Sequence, residues 1–61
     1  MTEDKLAFLI PEACRAARAS RSAIYRAIRA RELVARKRGR RTVILADDLM
    51  RWLQDLPKLA A

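Results

Sequence analysis

The fold is decided by the stretch Ser20-Arg21-Ser22-Ala23-Ile24-Tyr25-Arg26-Ala27-Ile28-Arg29-Ala30. Its apolar residues Ile24, Ala27 and Ile28 recur at i, i+3 and i+4, which is the spacing of one buried helix face. The opposite face carries Arg21, Ser22, Tyr25, Arg26 and Arg29. Ser20 is a favoured N-cap, because its hydroxyl oxygen can accept a hydrogen bond from a first-turn N–H. The stretch therefore predicts a helix from Ser20 to about Ala30 with one apolar and one basic side.

A shorter helix is predicted just upstream, from about Pro11 to Ala17. Proline suits the first turn of a helix, where its missing N–H would have no helical partner anyway. Ala13, Cys14 and Ala17 fall on the inner face of this helix. A turn of three residues, with Arg18 as its first or middle member, leads into the next helix. Two short helices joined in this way are typical of a helix-turn-helix motif.

Downstream of residue 32 the helical spacing disappears and a hairpin is predicted. Two runs rich in strand-forming residues, Leu33–Ala35 and Thr42–Leu45, flank a basic segment that contains Gly39. A glycine tolerates the positive φ that a tight hairpin turn requires. The buried face of the second strand is left open between two pairs, Thr42 with Ile44 or Val43 with Leu45.

A third helix is predicted from about Asp47 to Leu56, with Pro57 ending it. Two carboxylates stand in its first turn, where the helix dipole favours them. A core-facing stripe follows at i, i+3, i+4 and i+7, formed by Leu49, Trp52, Leu53 and Leu56. The predicted fold is mainly α with a small β-hairpin: a winged helix-turn-helix of three short helices and a two-stranded wing. Residues 1–61 form one domain, with a core from about residue 8 to 56 and short flexible termini.

The positive charge is concentrated in the middle of the chain. The net charge is +7, but residues 15–41 hold 11 of the 14 basic residues and only one of the seven acidic residues, Glu32. A small domain with this distribution is suited to a polyanionic partner. The alternative, a soluble chain that is merely rich in arginine, has to be judged from where the arginines lie.

Composition excludes several classes of site. With no histidine and a single cysteine, Cys14, the chain offers neither a zinc cluster nor an internal disulfide, and Cys14 is interpreted as a small buried residue. No apolar run reaches the roughly 20 residues of a membrane span, and the acidic start is unlike a signal peptide. We expect a cytoplasmic protein without metal, cofactor or membrane partner.

The basic surface is the candidate binding site. In a helix-turn-helix the second helix enters the major groove of double-stranded DNA, where arginine can bond guanine bidentately. No carboxylate on this helix could pair with its arginines, which argues against a merely solvated face. The basic wing tip would lie on backbone and minor groove, although a mobile solvated loop is the alternative. The predicted DNA-binding residues are Arg18, Ser20, Arg21, Ser22, Tyr25, Arg26, Arg29, Lys37, Arg38, Arg40 and Arg41.

Three other functions are disfavoured. An enzyme would need Tyr25 or a serine as nucleophile together with a general acid or base and a pocket, and none is apparent, so no catalytic residue is predicted. A membrane-surface helix would need a larger apolar face than two isoleucines and several alanines provide. RNA binding is disfavoured because Tyr25 is the only exposed aromatic residue expected for stacking.

The motifs together resemble the excisionase-like winged helix-turn-helix proteins of the MerR superfamily. The resemblance runs without gaps from about Phe8 to Leu56. It rests on the segments Ala13-Cys14, Ala19-Ser20-Arg21-Ser22-Ala23-Ile24-Tyr25-Arg26-Ala27-Ile28, Glu32-Leu33, Gly39-Arg40-Arg41-Thr42-Val43-Ile44, Asp48-Leu49 and Trp52-Leu53. It implies a major-groove second helix, a minor-groove wing, and often several copies on adjacent DNA sites. It also implies a phage-type recombination directionality factor that partners an integrase, or a small prophage or plasmid transcriptional regulator.

The chain departs from this family pattern at five positions. Arg18 and Arg31 replace glycines that ease the two turns around the second helix. If both keep a positive φ, each costs on the order of 1 kcal/mol. We therefore expect either altered turns or phosphate contacts that offset the strain. The other departures are Leu9 for the usual capping Thr or Ser, Val34 for proline and Thr42 for an aromatic residue.

Overall fold

Residues 6–59, the part of the chain that this computed structural model describes, form three helices and three short strands. Their order is β1 (Ala7–Leu9), α1 (Ile10–Ala17), α2 (Arg21–Arg29), β2 (Arg36–Arg38), β3 (Arg41–Leu45) and α3 (Ala46–Gln54). The mainly α fold with a β-hairpin is confirmed, and the three predicted helices are present. Flexible termini were also predicted. Residues 1–5, 60 and 61, to which part of this prediction applies, lie outside the described residues.

The hairpin belongs to a three-stranded antiparallel sheet of order β1-β3-β2, so the predicted two-stranded wing gains a strand at its base. Phe8 of β1 pairs with Ile44 of the central strand. The predicted first wing strand at Leu33–Ala35 is wrong, because the strand runs over Arg36–Arg38 instead. The register explains the shift: since Arg38 pairs with Arg41, Leu33 would stand opposite Ala46, where α3 has already begun.

A lean core lies between the helices and one face of the sheet. It consists of Ile10, Ala13, Ile24, Ala27, Leu33, Ile44, Leu49 and Trp52. Ile44 is fully buried, which settles the open choice of face in favour of Thr42 and Ile44. Leu56 was predicted to belong to the core stripe of α3, but it is 49% exposed. The helix ends at Gln54, two residues before Leu56, and the residue that precedes a proline disfavours the helical conformation.

Both turns around α2 keep the left-handed conformation that glycine usually supplies. Arg18 has φ 53° and Arg31 has φ 63°. After α1, the N–H groups of Arg18 and Ala19 donate to the carbonyls of Arg15 and Cys14. After α2, those of Arg31 and Glu32 donate to Ile28 and Ala27. These are paired hydrogen bonds of the Schellman type. The expectation of altered turns is therefore wrong, and the strain of two left-handed arginines is present.

Candidate nucleic-acid interface

The start of α2 is fixed by its cap. The Ser20 Oγ accepts a hydrogen bond of 3.1 Å from the Ala23 N–H, as the sequence predicted. Ile24 and Ala27 are buried and Ile28 is half-buried, so the apolar side of α2 faces the core. Because a serine hydroxyl also carries one hydrogen to donate, Ser20 can cap the helix and contact an outside acceptor together. Because the cap fixes the start of α2 and its apolar side is buried, its polar and basic side faces outward.

The outward side of α2 carries all five of the predicted side chains. Arg21, Ser22, Tyr25, Arg26 and Arg29 are exposed and line one shallow depression together with Ile28. Tyr25 is 44% exposed and is the aromatic member of this surface. The ion pair between described residues joins Arg36 to Asp48 and involves no arginine of α2. In the described part of the chain, the exposed guanidinium groups of α2 are thus open to an anionic partner.

A second shallow depression joins α2 to the base of the hairpin. It is lined by Arg21 and Tyr25 of α2, by Arg41 and Thr42 of β3, and by the chain from Leu9 to Pro11. Arg21 and Tyr25 line both depressions. The outward side of α2 and the hairpin therefore form one continuous surface. We call this surface the basic face; it comprises residues 18–29 that are exposed on α2 and its preceding turn, and residues 36–42 of the hairpin.

The hairpin presents its basic side chains on both of its sides. Paired residues share a face of a sheet, so Arg36, Arg38 and Arg41 lie on one side and Lys37 lies on the other. All four are exposed, and so is Arg40 in the turn. The two-residue turn has φ 62° at Gly39, whereas Arg40 is not among the residues of positive φ. This is the pattern of a type II′ turn, which suits the twist of a tight hairpin.

The two left-handed arginines have different surroundings. Arg18 is exposed in the turn three residues before Arg21, next to the start of α2. Arg31, at the far end of α2, lines a separate cleft with Glu32, Trp52, Asp55, Leu56 and Pro57. Two of those neighbours are acidic, which makes the cleft a poor place for a phosphate. Of the two, only Arg18 adjoins the basic face.

Arg36 and Thr42 also lie on the basic face, although neither was among the predicted DNA-binding residues. Arg36 belongs to the same exposed strand as Lys37 and Arg38, and Thr42 lines the depression shared with α2. The signal for Arg36 was its place in the basic run 36–41 at the predicted hairpin tip.

The carboxylates lie mainly on other elements. Glu12 stands in the first turn of α1, where its Oε1 accepts a hydrogen bond of 2.9 Å from the N–H of the N-cap residue Leu9, the return half of a capping box. Asp47 and Asp48 stand in the first turn of α3. No group of three His, Cys, Asp or Glu side chains in the described residues could hold a metal ion. No described helix has the length and apolar character needed to cross a membrane.

One comparison with known proteins gives a match. A family model described as "Helix-turn-helix domain" matches residues 10–57. That range begins at the first residue of α1 and ends three residues after α3, so it contains the three helices and the hairpin. No curated protein and no solved structure matches the chain.

Proposed function

The chain belongs to the family of helix-turn-helix domains, a DNA-binding family, and from this premise we propose that it binds double-stranded DNA in a sequence-specific way. In this proposal α2 lies in the major groove, while the hairpin acts as a wing on the neighbouring backbone and minor groove. A helix about 10–12 Å across matches a major groove about 12 Å wide.

The observation that carries the proposal is the continuity of the basic face. Arg21 and Tyr25 share one depression with Arg41 and Thr42, so α2 and the hairpin can approach one duplex from the same side. The exposed basic side chains along this surface supply the counterion release that drives binding to a phosphate backbone. The same surface offers no deep apolar cavity for a small molecule.

We assign the predicted residues to two roles. Arg21 and Arg26, with Arg29 further along the helix, read base edges, since residues near the start of a recognition helix reach the bases. Arginine is suited to this because its planar guanidinium bonds guanine O6 and N7 together. The remaining residues contact phosphates or sense groove shape: Arg18, Ser20, Ser22, Tyr25, Lys37, Arg38, Arg40 and Arg41.

The base-reading role is tested with alanine variants on selected DNA. A preferred site is first obtained by selection from a random duplex pool, and affinities are then measured by fluorescence anisotropy on this site and on a scrambled duplex. Arg21→Ala or Arg26→Ala is expected to cost about 1–3 kcal/mol on the preferred site and little on the scrambled one. Arg51→Ala is the matched control, because Arg51 is an exposed helical arginine on α3. Equal losses on both duplexes would refute base reading.

The wing is tested through the salt dependence of binding. The slope of log K against log salt concentration is negative, and each lost phosphate contact reduces its magnitude by about 0.9. Arg38→Ala and Arg40→Ala are expected to flatten this slope on any sequence, whereas Arg51→Ala is not. An unchanged slope for both hairpin variants would mean that the wing does not touch DNA.

We further propose that the protein is a phage-type excisionase, a recombination directionality factor that acts in the prokaryotic cytoplasm with an integrase and with further copies of itself on adjacent sites. The resemblance of its motifs to excisionase-like proteins supports this role. A small prophage or plasmid transcriptional regulator is the alternative with the same DNA-binding mode. Either role is one of binding and bending DNA without catalysis, in keeping with a chain that has no histidine.

Footprinting on the neighbouring genomic DNA distinguishes the two roles. Repeated, helically phased sites with bending beside an attachment site are expected for an excisionase. A single site that overlaps a promoter would instead support the regulator and refute the excisionase role.

A further inference from the structure

The side chains of strand β2 are not held by packing against the core. Its three residues, Arg36, Lys37 and Arg38, are all exposed and all charged, so the strand buries no apolar side chain. Its backbone is fixed, because it pairs with β3 at the edge of the sheet and follows the buried Leu33. The orientation of its long side chains in the basic face therefore depends on the polar contacts that reach them.

Such a contact comes from Asp48 in the first turn of α3. Its Oδ2 lies 3.8 Å from the Nε of Arg36. This distance is too long for a hydrogen bond, and the Oδ2 is buried without a hydrogen-bond partner among the described residues. The Asp48 side chain is 15% exposed and that of Arg36 is 58% exposed. Leu49 and Trp52 bury α3 in the core, so the carboxylate is held in a fixed place.

The two partners of this ion pair differ in exposure, and this difference indicates a role for the pair in binding. The guanidinium of Arg36 carries five N–H donors, and the approach of its Nε to one carboxylate leaves others free for a second acceptor. The exposed part of its side chain lies on the hairpin side that it shares with Arg38 and Arg41. Such an exposed ion pair adds little to the free energy of folding, so its larger effect is to orient the Arg36 side chain.

We propose that Arg36 is a further phosphate-contacting residue of the basic face, and that Asp48 is its positioning residue. The carboxylate holds the guanidinium in the arrangement in which its remaining donors meet a DNA phosphate. A pre-organised side chain loses less freedom on binding, so the complex is tighter than Arg36 alone would make it. This inference rests on the proposed DNA-binding function and adds two residues to its interface.

The test compares Asp48→Asn with Asp47→Asn. Both variants remove one carboxylate from the first turn of α3 and raise the net charge by one, but Asp47 is exposed, and the ion pair with Arg36 is made by Asp48. A pure charge effect would tighten DNA binding equally in both. Positioning predicts that Asp48→Asn binds about 2- to 10-fold more weakly than Asp47→Asn, the range expected when one side chain loses its pre-organisation.

Arg36→Gln supplies the second arm of the test. It is expected to reduce the magnitude of the salt slope by about 0.9 in the native background, and by less when Asp48→Asn is also present. Arg36→Lys leaves Asp48 and the core intact and keeps the charge. We expect it to bind more weakly than the native protein, because one ammonium group does not reproduce the planar, two-sided fork of the guanidinium.

A readout without DNA is the exchange rate of the Arg36 Nε–H, measured by NMR. We expect slower exchange in the native protein and in Asp47→Asn than in Asp48→Asn, because a carboxylate 3.8 Å from the Nε repels the hydroxide ion that catalyses exchange. If Asp48→Asn matches Asp47→Asn in both affinity and exchange, and Arg36→Gln leaves the slope unchanged, the inference is overturned while DNA binding stands. If the native protein binds no duplex DNA at all, the proposed function itself fails.

Discussion

Substitution of the two left-handed arginines distinguishes their effect on stability from their effect on DNA binding. Arg18 and Arg31 both have positive φ, and each ends a helix through paired backbone hydrogen bonds. At each position we compare Arg→Gly with Arg→Ala. The two changes remove the same charge and the same long side chain. They differ in that glycine adopts the left-handed conformation without strain, whereas alanine keeps the strain of an L-residue.

The expected magnitude follows from two opposing terms. The left-handed conformation costs an L-residue about 1–2 kcal/mol. Glycine removes this cost but adds about 0.5–1 kcal/mol of backbone entropy that is lost on folding. Each glycine variant should therefore be about 0–1.5 kcal/mol more stable than its alanine counterpart, with the middle of this range near 0.75 kcal/mol. In a domain of this size, 1 kcal/mol corresponds to roughly 4–8 °C in Tm, so the double glycine variant should melt several degrees above the double alanine variant.

The assay is thermal and urea unfolding followed by circular dichroism, with DNA binding measured on the same samples. Arg18→Gly should be more stable than Arg18→Ala, and its salt slope should be smaller in magnitude than that of the native protein by about 0.9, because the proposed phosphate contact is lost. Arg31→Gly should be more stable than Arg31→Ala with no change of slope, since Arg31 lies in the cleft with Glu32 and Asp55. Equal stability of the glycine and alanine variants at both positions would refute the strain argument. A lowered slope for Arg31→Gly would refute the assignment of Arg31 away from DNA.

Three further predictions concern stability and need only unfolding curves. Ser20→Ala removes the cap of α2 and should cost about 1 kcal/mol, whereas Ser20→Asp should retain most of the stability. Gly39→Ala should cost about 1 kcal/mol from φ alone, because a Cβ there meets no atom within 4 Å, and Gly39→Asn should cost less. Ile44→Ala should cost about 2–5 kcal/mol, while Leu56→Ala should cost far less because Leu56 lies outside the core. A loss at Leu56 as large as that at Ile44 would contradict the observed end of α3.

The helices were predictable because their signals are redundant. In α2 the apolar spacing, the Ser20 cap and the absence of glycine and proline all indicate the same element. The strands were harder. Strand β1 has only three residues, Ala7–Leu9, which is too short to show an alternating pattern, and it forms only because β3 provides a partner. Strand β2 is entirely charged, so no apolar pattern could mark it, and its bounds follow from the turn at Gly39.

The residues of the candidate site could be predicted from the sequence, but their arrangement in space could not. Charge and helical spacing place Arg21 and Tyr25 on one side of α2 from sequence alone. Their meeting with Arg41 and Thr42 depends on the packing of α1 against both β3 and α2, a long-range arrangement that local patterns do not contain. The approach of Asp48 to Arg36 is of the same kind, since it follows from the direct passage of β3 into α3.

The basic face is also where this chain departs most from the rules that stabilise small domains. Arg18 holds a left-handed conformation that favours glycine, and Arg21 places a positive charge at the positive end of a helix dipole. Arg38 stands directly opposite Arg41, a like-charge pair that weakens a hairpin. In contrast, α1 and α3 each carry carboxylates in their first turns, as the dipole favours. A phosphate backbone across this surface would relieve the charge repulsion at α2 and at the hairpin together. The same groups that cost the free domain stability are therefore those that would stabilise its complex with DNA.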